Sequence, residues 1–194
     1  MILESERLLL REYRLTDIDD LVSGLNNLNV SQWLNVVSYP YTKKDAENFI
    51  KMTFEKSASG DNYYWCIILK SENKVIGGIS LERIDYHHKF AGGGIWINEK
   101  YHGNGYGAEA WNMRSKFAFE TLKLRRLESG FLEGNEKSRI MQERLGYKIE
   151  GMKREKILCL ADGKVKNEVI LGLLKNEWIE MNKENKWVDN NENI

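Results

Sequence analysis

The sequence predicts an α/β chain of three layers, in which a mixed, mostly antiparallel central sheet lies between helices on both faces. Strand-like runs outnumber helical ones, and their order is mixed rather than strictly alternating, which argues against a doubly wound parallel fold. A length of 194 residues suits one domain able to bury most of the apolar surface of a real core.

Leu8-Leu9-Leu10-Arg11 is a short apolar run and reads as a strand. Thr16 precedes Asp17, Ile18, Asp19, Asp20 and Leu21, and is expected to cap a helix whose positive end the carboxylates favour. An irregular segment around Trp33 and Tyr39-Pro40-Tyr41 follows. Thr42 then opens a second helix, because the apolar residues from Lys43 to Met52 recur at helical spacing; it should run to about Lys56. Strands are expected over 63–69, 74–81 and 94–97, separated by the turn-forming Ser71-Glu72-Asn73 and the polar segment 85–89. From Gly107 onward, Ala108, Trp111, Ser115, Ala118, Phe119 and Leu122 recur every three to four residues and predict a long helix. Residues 126–132 read as a strand, 138–145 as a helix, and 147–160 with 164–174 as a closing hairpin turned by Ala161-Asp162-Gly163. The domain is expected to occupy residues 1–180. Residues 181–194 form a polar tail, expected to be frayed from Lys183 onward.

Composition excludes several functions. Hydrophobic residues make up 42% and charged residues 30%, with one proline, as in a soluble globular protein. The 29 basic residues balance 29 acidic ones, so no overall field recruits nucleic acid or an anionic membrane. No apolar stretch approaches the ~20 residues that cross a bilayer, and Met1 to Arg7 carry no basic-then-apolar signal; a cytoplasmic protein is expected. Cys66 and Cys159 lie far apart within apolar runs and read as buried reduced thiols, with neither a disulfide nor a metal site implied.

The most informative segment runs from Trp96 through His102-Gly103-Asn104-Gly105-Tyr106-Gly107-Ala108 to Ala110. It is a strand, a glycine-rich turn and a helix start. Three glycines let several backbone N–H groups converge on one anion at the helix N-terminus, which makes a pyrophosphate cradle; the same glycines would also serve a tight turn with no ligand. No Gly-Lys-Ser/Thr is present for a nucleoside triphosphate, and no βαβ start precedes the turn for a dinucleotide.

These residues resemble the GNAT superfamily of acetyl-CoA-dependent N-acetyltransferases, whose phosphate turn reads Gln/Arg-x-x-Gly-x-Gly/Ala between a strand and a helix. His102 departs from the first position, while Gly105 and Gly107 match. The resemblance continues in Asn135-Glu136-Lys137-Ser138, Arg144-Leu145-Gly146-Tyr147 and Glu150-Gly151, the pattern of the ribosomal-protein alanine N-acetyltransferase branch. With Glu6-Arg7-Leu8-Leu9-Leu10-Arg11 and Asp162-Gly163 it covers roughly residues 6 to 178. It implies the GNAT fold with a V-shaped splay between two central strands, and acetyl-CoA as co-substrate without a metal. It further implies that Ile95, Trp96 and Ile97 pair by main chain with the pantetheine arm. His102, Gly103, Asn104, Gly105, Tyr106, Gly107 and Ala108 would take the pyrophosphate. Asn135 would bond the arm from the far side of the V, and Ser138 would cap the next helix near the cofactor; a cap alone is as good a reading for Ser138, and a weaker one for Asn135.

Acetyl transfer needs a neutral amine, a stabilised oxyanion and a proton returned to the thiolate. Many GNAT relatives carry a glutamate five residues before the Asn and a tyrosine in the following helix; here those places hold Gly130 and Gln142. Glu128 and Glu133 remain near the expected cleft, and Glu133 is the candidate base. Backbone N–H near Trp96 or Ile97 would meet the oxyanion. Trp33 and Tyr39 are the candidate acceptor-wall residues. An α-amine of pKa near 8 is roughly a tenth neutral at pH 7 whereas a lysine amine near 10.4 is about one part in 2,500 neutral, so weak base machinery favours a protein N-terminus. The alternatives are a small amine such as a polyamine or amino sugar, which an acidic cleft from Glu82, Asp85, Glu128 and Glu133 would favour, and a non-catalytic acyl-CoA sensor. A monomer or a homodimer is expected.

Overall fold

Nine strands and six α-helices are found among residues 1–184, the part of the chain that the computed structural model describes. The strands are β1 (Leu3–Glu4), β2 (Leu8–Arg11), β3 (Tyr63–Leu69), β4 (Lys74–Asp85), β5 (Phe90–Gly92), β6 (Ile95–Ile97), β7 (Arg126–Leu132), β8 (Lys148–Leu158) and β9 (Val165–Leu174). The helices are α1 (Ile18–Leu25), α2 (Leu28–Ser31), α3 (Lys43–Ser57), α4 (Tyr106–Lys116, prolonged by a π turn over Phe117–Thr121), α5 (Glu136–Arg144) and α6 (Lys175–Glu184). One open sheet runs β1-β2-β3-β4-β5-β7-β9-β8, with β6 also on β4. Every pairing is antiparallel except β5 with β7.

Strand β3 shows why its sequence is a continuous apolar run. Trp65, Ile67 and Leu69 face one core, and Tyr64, Cys66 and Ile68 face a second on the opposite side. A strand covered on both faces has no solvent side and so loses the polar alternation. Helix α4 with Phe117 and Phe119 covers the first face; α1 and α3, through Leu21, Leu25, Ala46 and Ile50, cover the second. The three layers and the mostly antiparallel sheet are thus as the sequence predicts. Both cysteines are free and buried, and burial pushes the Cys66 thiol up to about 12.

The helix starts differ in their chemistry. Thr16 does not cap α1: Leu15–Asp17 form a 3-10 turn first, and the Asp17 carboxylate is held by Arg11 at 2.7 and 2.8 Å and by the Arg14 N–H at 2.8 Å. Thr42 does cap α3, its hydroxyl accepting from the Asp45 N–H while Asp45 accepts from the Thr42 N–H. Thr42→Ala is therefore expected to lower stability by about 1 kcal/mol, read as a melting-temperature drop of roughly 2–4 °C. Helix α6 packs Trp178 on Phe119 with ring centroids 5.4 Å apart. Met181 to Glu184 belong to this helix, and the rest of the expected tail lies outside the described residues.

The segment 90–97 is one strand broken at Gly93-Gly94. Its first half pairs with β7 at Phe90↔Arg126 and Ala91↔Leu127. The second half stays on β4 at Gly77↔Ile97, Gly78↔Trp96 and Ile79↔Ile95, while β7 continues alone to Leu132. The two strands therefore diverge from Gly92 onward and leave a V between β6 and β7.

Candidate active site

The V opens into a cleft of 3130 Å³, larger than the roughly 300–1,000 Å³ that holds one small ligand, so two reactants fit side by side. One wall is β6 and the glycine turn; the other is β7 with the N-terminus of α5.

The glycine turn leads into α4 with Gly105 as its N-cap at φ +77°. A Cβ at Gly103 would touch nothing within 4 Å, and Gly105 supplies no side-chain cap. The first-turn N–H groups of α4 have no intrahelical acceptor, so the turn presents donors and a positive helix end to an anion. Arg7, which the sequence did not point to as part of the site, secures it together with Asn104. Arg7 donates to the Asn104 carbonyl at 3.1 Å and, through Nε, to Glu109 at 2.7 Å, with its guanidinium 4.8 Å from the Tyr106 ring centroid. Asn104 donates to the carbonyls of Tyr101 and His102. His102 turns its ring inward, with Nε2 2.9 Å from the Ile97 carbonyl. That contact requires N–H on Nε2, which leaves Nδ1 to accept from Lys137 Nζ at 3.4 Å. His102 thus ties the turn to β6 and to α5 across the V.

Main-chain direction alternates along β6. Ser80 N donates to Gly94 O and Asn98 N donates to Ile76 O, so residues 94, 96 and 98 address β4. Ile95 and Ile97 address the open side of the V. Of the two residues expected to offer an oxyanion donor, Ile97 turns its main chain to the V, whereas the Trp96 main chain faces Gly78. The Trp96 indole packs on the opposite core, where a Cβ at Gly24 would meet it at 2.5 Å.

Across the V, the Asn135 side chain caps α5 by accepting from Ser138 N at 3.2 Å; among the described residues its NH2 has no partner. Ser138, expected as the cap, instead accepts at its hydroxyl from Gln142 at 3.0 Å. Gln142 is fully buried and lies outside the cleft lining. Glu133 is exposed, accepts from Asn167 at 2.8 Å and does not line the cleft either. Trp33 does line it, and reaches over to Gly134, whose Cβ would lie 3.7 Å from the ring. Lys166 Nζ, 5.4 Å from the centroid of that ring, donates to the Gln32 carbonyl, so the tip of the β8–β9 hairpin docks on the loop after α2. Tyr39 is 45% exposed and outside the lining. Its place in the wall is taken by Tyr41, fixed through its N–H to Asn26 at 3.1 Å. Among the described residues the buried Tyr41 hydroxyl has no partner, and burial raises its pKa, so it stays protonated.

The family model of the acetyltransferase (GNAT) domain matches residues 7–148, which include the V, the phosphate turn and Asn135. The chain belongs to the GNAT family. It is an N-acetyltransferase, and acetyl-CoA is its co-substrate; the uncapped turn and the outward main chain of Ile95 and Ile97 suit the pyrophosphate and the pantetheine amides. Acetyl-CoA supplies the activated acetyl group as a thioester. The GNAT chain is 28% identical over 177 residues to the "Uncharacterized N-acetyltransferase p20" of Bacillus licheniformis, covering 91% of this chain and 97% of that one. Its fold matches the ribosomal-protein-S5-alanine acetyltransferase of Vibrio fischeri with a TM-score of 0.74 at 19% identity, over 92% and 98% of the two chains. It also matches the microcin C7 self-immunity acetyltransferase MccE, solved with acetyl-CoA and AMP, with a TM-score of 0.78 at 19% identity over 88% and 93%. Among the described residues no group of side chains could hold a metal, and no helix is long and apolar enough to cross a membrane.

Proposed function

We propose that this GNAT enzyme acetylates the α-amine of a protein or peptide N-terminus by direct attack in a ternary complex. The observation that carries the reading is the charge balance of the acceptor side of the cleft. Glu128 and Glu150 both pair with Arg126, and Glu168 faces Lys153 at 3.9 Å. A polyamine would need a surplus of carboxylates there, whereas a single α-ammonium needs one. The name of the Vibrio fischeri neighbour points the same way. A protein N-terminus also enters as an extended chain, which suits a cleft walled by the loop that carries Trp33 and Tyr41.

The test is acetyl-CoA-dependent thiol release scanned over free N-terminal peptides, the same peptides with blocked N-termini, spermidine and amino sugars. Free peptides are expected to exceed spermidine and the blocked, lysine-bearing peptides by at least about tenfold in kcat/KM, as one pKa unit of amine basicity already implies, and to exceed amino sugars as well. Comparable turnover of spermidine or of a blocked peptide bearing lysine would refute the assignment.

A further inference from the structure

We propose that Glu168 is the catalytic base of this enzyme, reaching from β9 over the side-chain-free surface of Gly130 on β7; the proposal rests on the amine-acetylating reading above. Leu127 and Phe131 point into the core under α4, so Arg126, Glu128, Gly130 and Leu132 point to the opposite face. The register Leu132↔Glu168 and Gly130↔Ile170 puts Glu168 on that same face. Its Oε1 lies 3.3 Å, and its Cγ 3.4 Å, from where a Gly130 Cβ would stand, so the carboxylate folds diagonally across the bare glycine. A side chain at residue 130 would crowd it, together with the Val169 carbonyl oxygen 3.0 Å from the same point.

The other carboxylates around this side of the cleft are engaged. Glu128 accepts from Arg126 at 3.1 Å, Glu150 from the same guanidinium at 2.7 Å, Glu82 from the Ser80 hydroxyl at 2.6 Å, and Glu133 from Asn167 outside the lining. Glu168 lines the cleft and, among the described residues, accepts no hydrogen bond. Its charged neighbours are Lys153 on β8 at 3.9 Å and, further along the face, the Arg126–Glu128 pair on β7. The side chain is 21% exposed, which leaves it open to an incoming ammonium but largely screened from bulk water.

The step balances as follows. Glu168 takes one proton from the acceptor ammonium, which becomes the neutral amine. The amine nitrogen bonds to the thioester carbonyl carbon, the C–S bond breaks with its electron pair on sulfur, and the second nitrogen proton passes to that sulfur. The products are the amide and the free thiol, and Glu168 returns its proton to solvent.

The experiment compares wild type, Glu168→Gln and Glu168→Asp in kcat/KM from pH 6 to 9.5, with acetyl-CoA affinity and melting temperature measured on each. Glu168→Gln is expected to lose about 10²–10³-fold at pH 7, with unchanged acetyl-CoA affinity and a deficit that shrinks as pH rises past the amine pKa near 8. Glu168→Asp should keep the pH profile with a smaller loss. Activity within threefold of wild type at every pH overturns the proposal, as does a loss that is the same at every pH or a lowered acetyl-CoA affinity. If wild type prefers a small amine to peptides, the acceptor reading fails while Glu168 is tested with that amine by the same profile. Wild type that acetylates no amine overturns both.

Discussion

Gly105→Glu is expected to abolish acetyl-CoA binding while leaving the protein folded. Gly105 is the N-cap of α4 at φ +77°, and the nearest atom to a Cβ there is an Arg7 nitrogen at 3.7 Å, so a new side chain meets no protein wall and enters the space in front of the helix end. The left-handed conformation costs an L-residue about 1–2 kcal/mol, a melting-temperature loss of roughly 2–8 °C for a domain of this size. The charge matters more. Like charges about 4 Å apart repel by about 4 kcal/mol at an effective dielectric of about 20, close to a thousandfold in affinity. Titration calorimetry should therefore show an acetyl-CoA Kd raised by at least about 10²-fold. Gly105→Ala separates the two effects: it carries the same backbone strain without the carboxylate, so it should melt like Gly105→Glu yet keep acetyl-CoA affinity within about tenfold of wild type. Glutamate binding as tightly as alanine would mean that the turn does not face the pyrophosphate.

The glycine turn between β6 and α4 is legible in the sequence because its information is local: glycines at fixed offsets between an apolar run and a helical period. The same holds for Thr42 and for β7, whose limits match the reading at 126–132. What the sequence hid depends on registers set far along the chain. Glu168 stands over Gly130 only because β9 pairs with β7 in one register, across 38 residues of sequence. Arg7 reaches Glu109 across 102 residues, so no spacing rule could join the N-terminal strand to the phosphate turn. Trp33 and Tyr39 lie in an irregular segment, where no periodicity says which aromatic faces inward. The loop is fixed by Tyr41 on Asn26, and that bond turns Tyr41 in and leaves Tyr39 out. Asn135 rather than Ser138 caps α5 for a geometric reason: the chain enters α5 two residues earlier than the apolar pattern implies, which puts Asn135 at the cap.

Gly93→Ala should be the most destabilising of the single substitutions considered for this site, and it tests how the V is made. At Gly93 the backbone takes φ +147°, and a Cβ would lie 2.2 Å from the Ser80 carbonyl oxygen and 3.1 Å from Arg114 Nη1. Neither neighbour can retreat freely. Ser80 N donates to Gly94 O, while Ser80 O accepts from Arg114 at 3.1 Å. Arg114 is fully buried; it donates to the Tyr147 hydroxyl at 2.9 Å and lies 4.2 Å from the Trp111 ring centroid. Among the described residues its Nε has no partner and no carboxylate bonds it, and burial lowers its pKa, so the cation depends on the bonds it already makes. Pushing Ser80 away removes one of them. Backbone strain, overpacking and the weakened buried bond together should destabilise the protein by about 3 kcal/mol or more, roughly a 6–12 °C fall in melting temperature. Acetyl-CoA affinity should fall with it, because β6 and β7 part at this point. Gly94→Ala is the control, since a Cβ at Gly94 has no neighbour within 4 Å and its φ lies outside the left-handed range. It should melt within a few degrees of wild type. Equal melting of the two variants would mean that the strands diverge for a reason other than the close approach of Gly93 to Ser80.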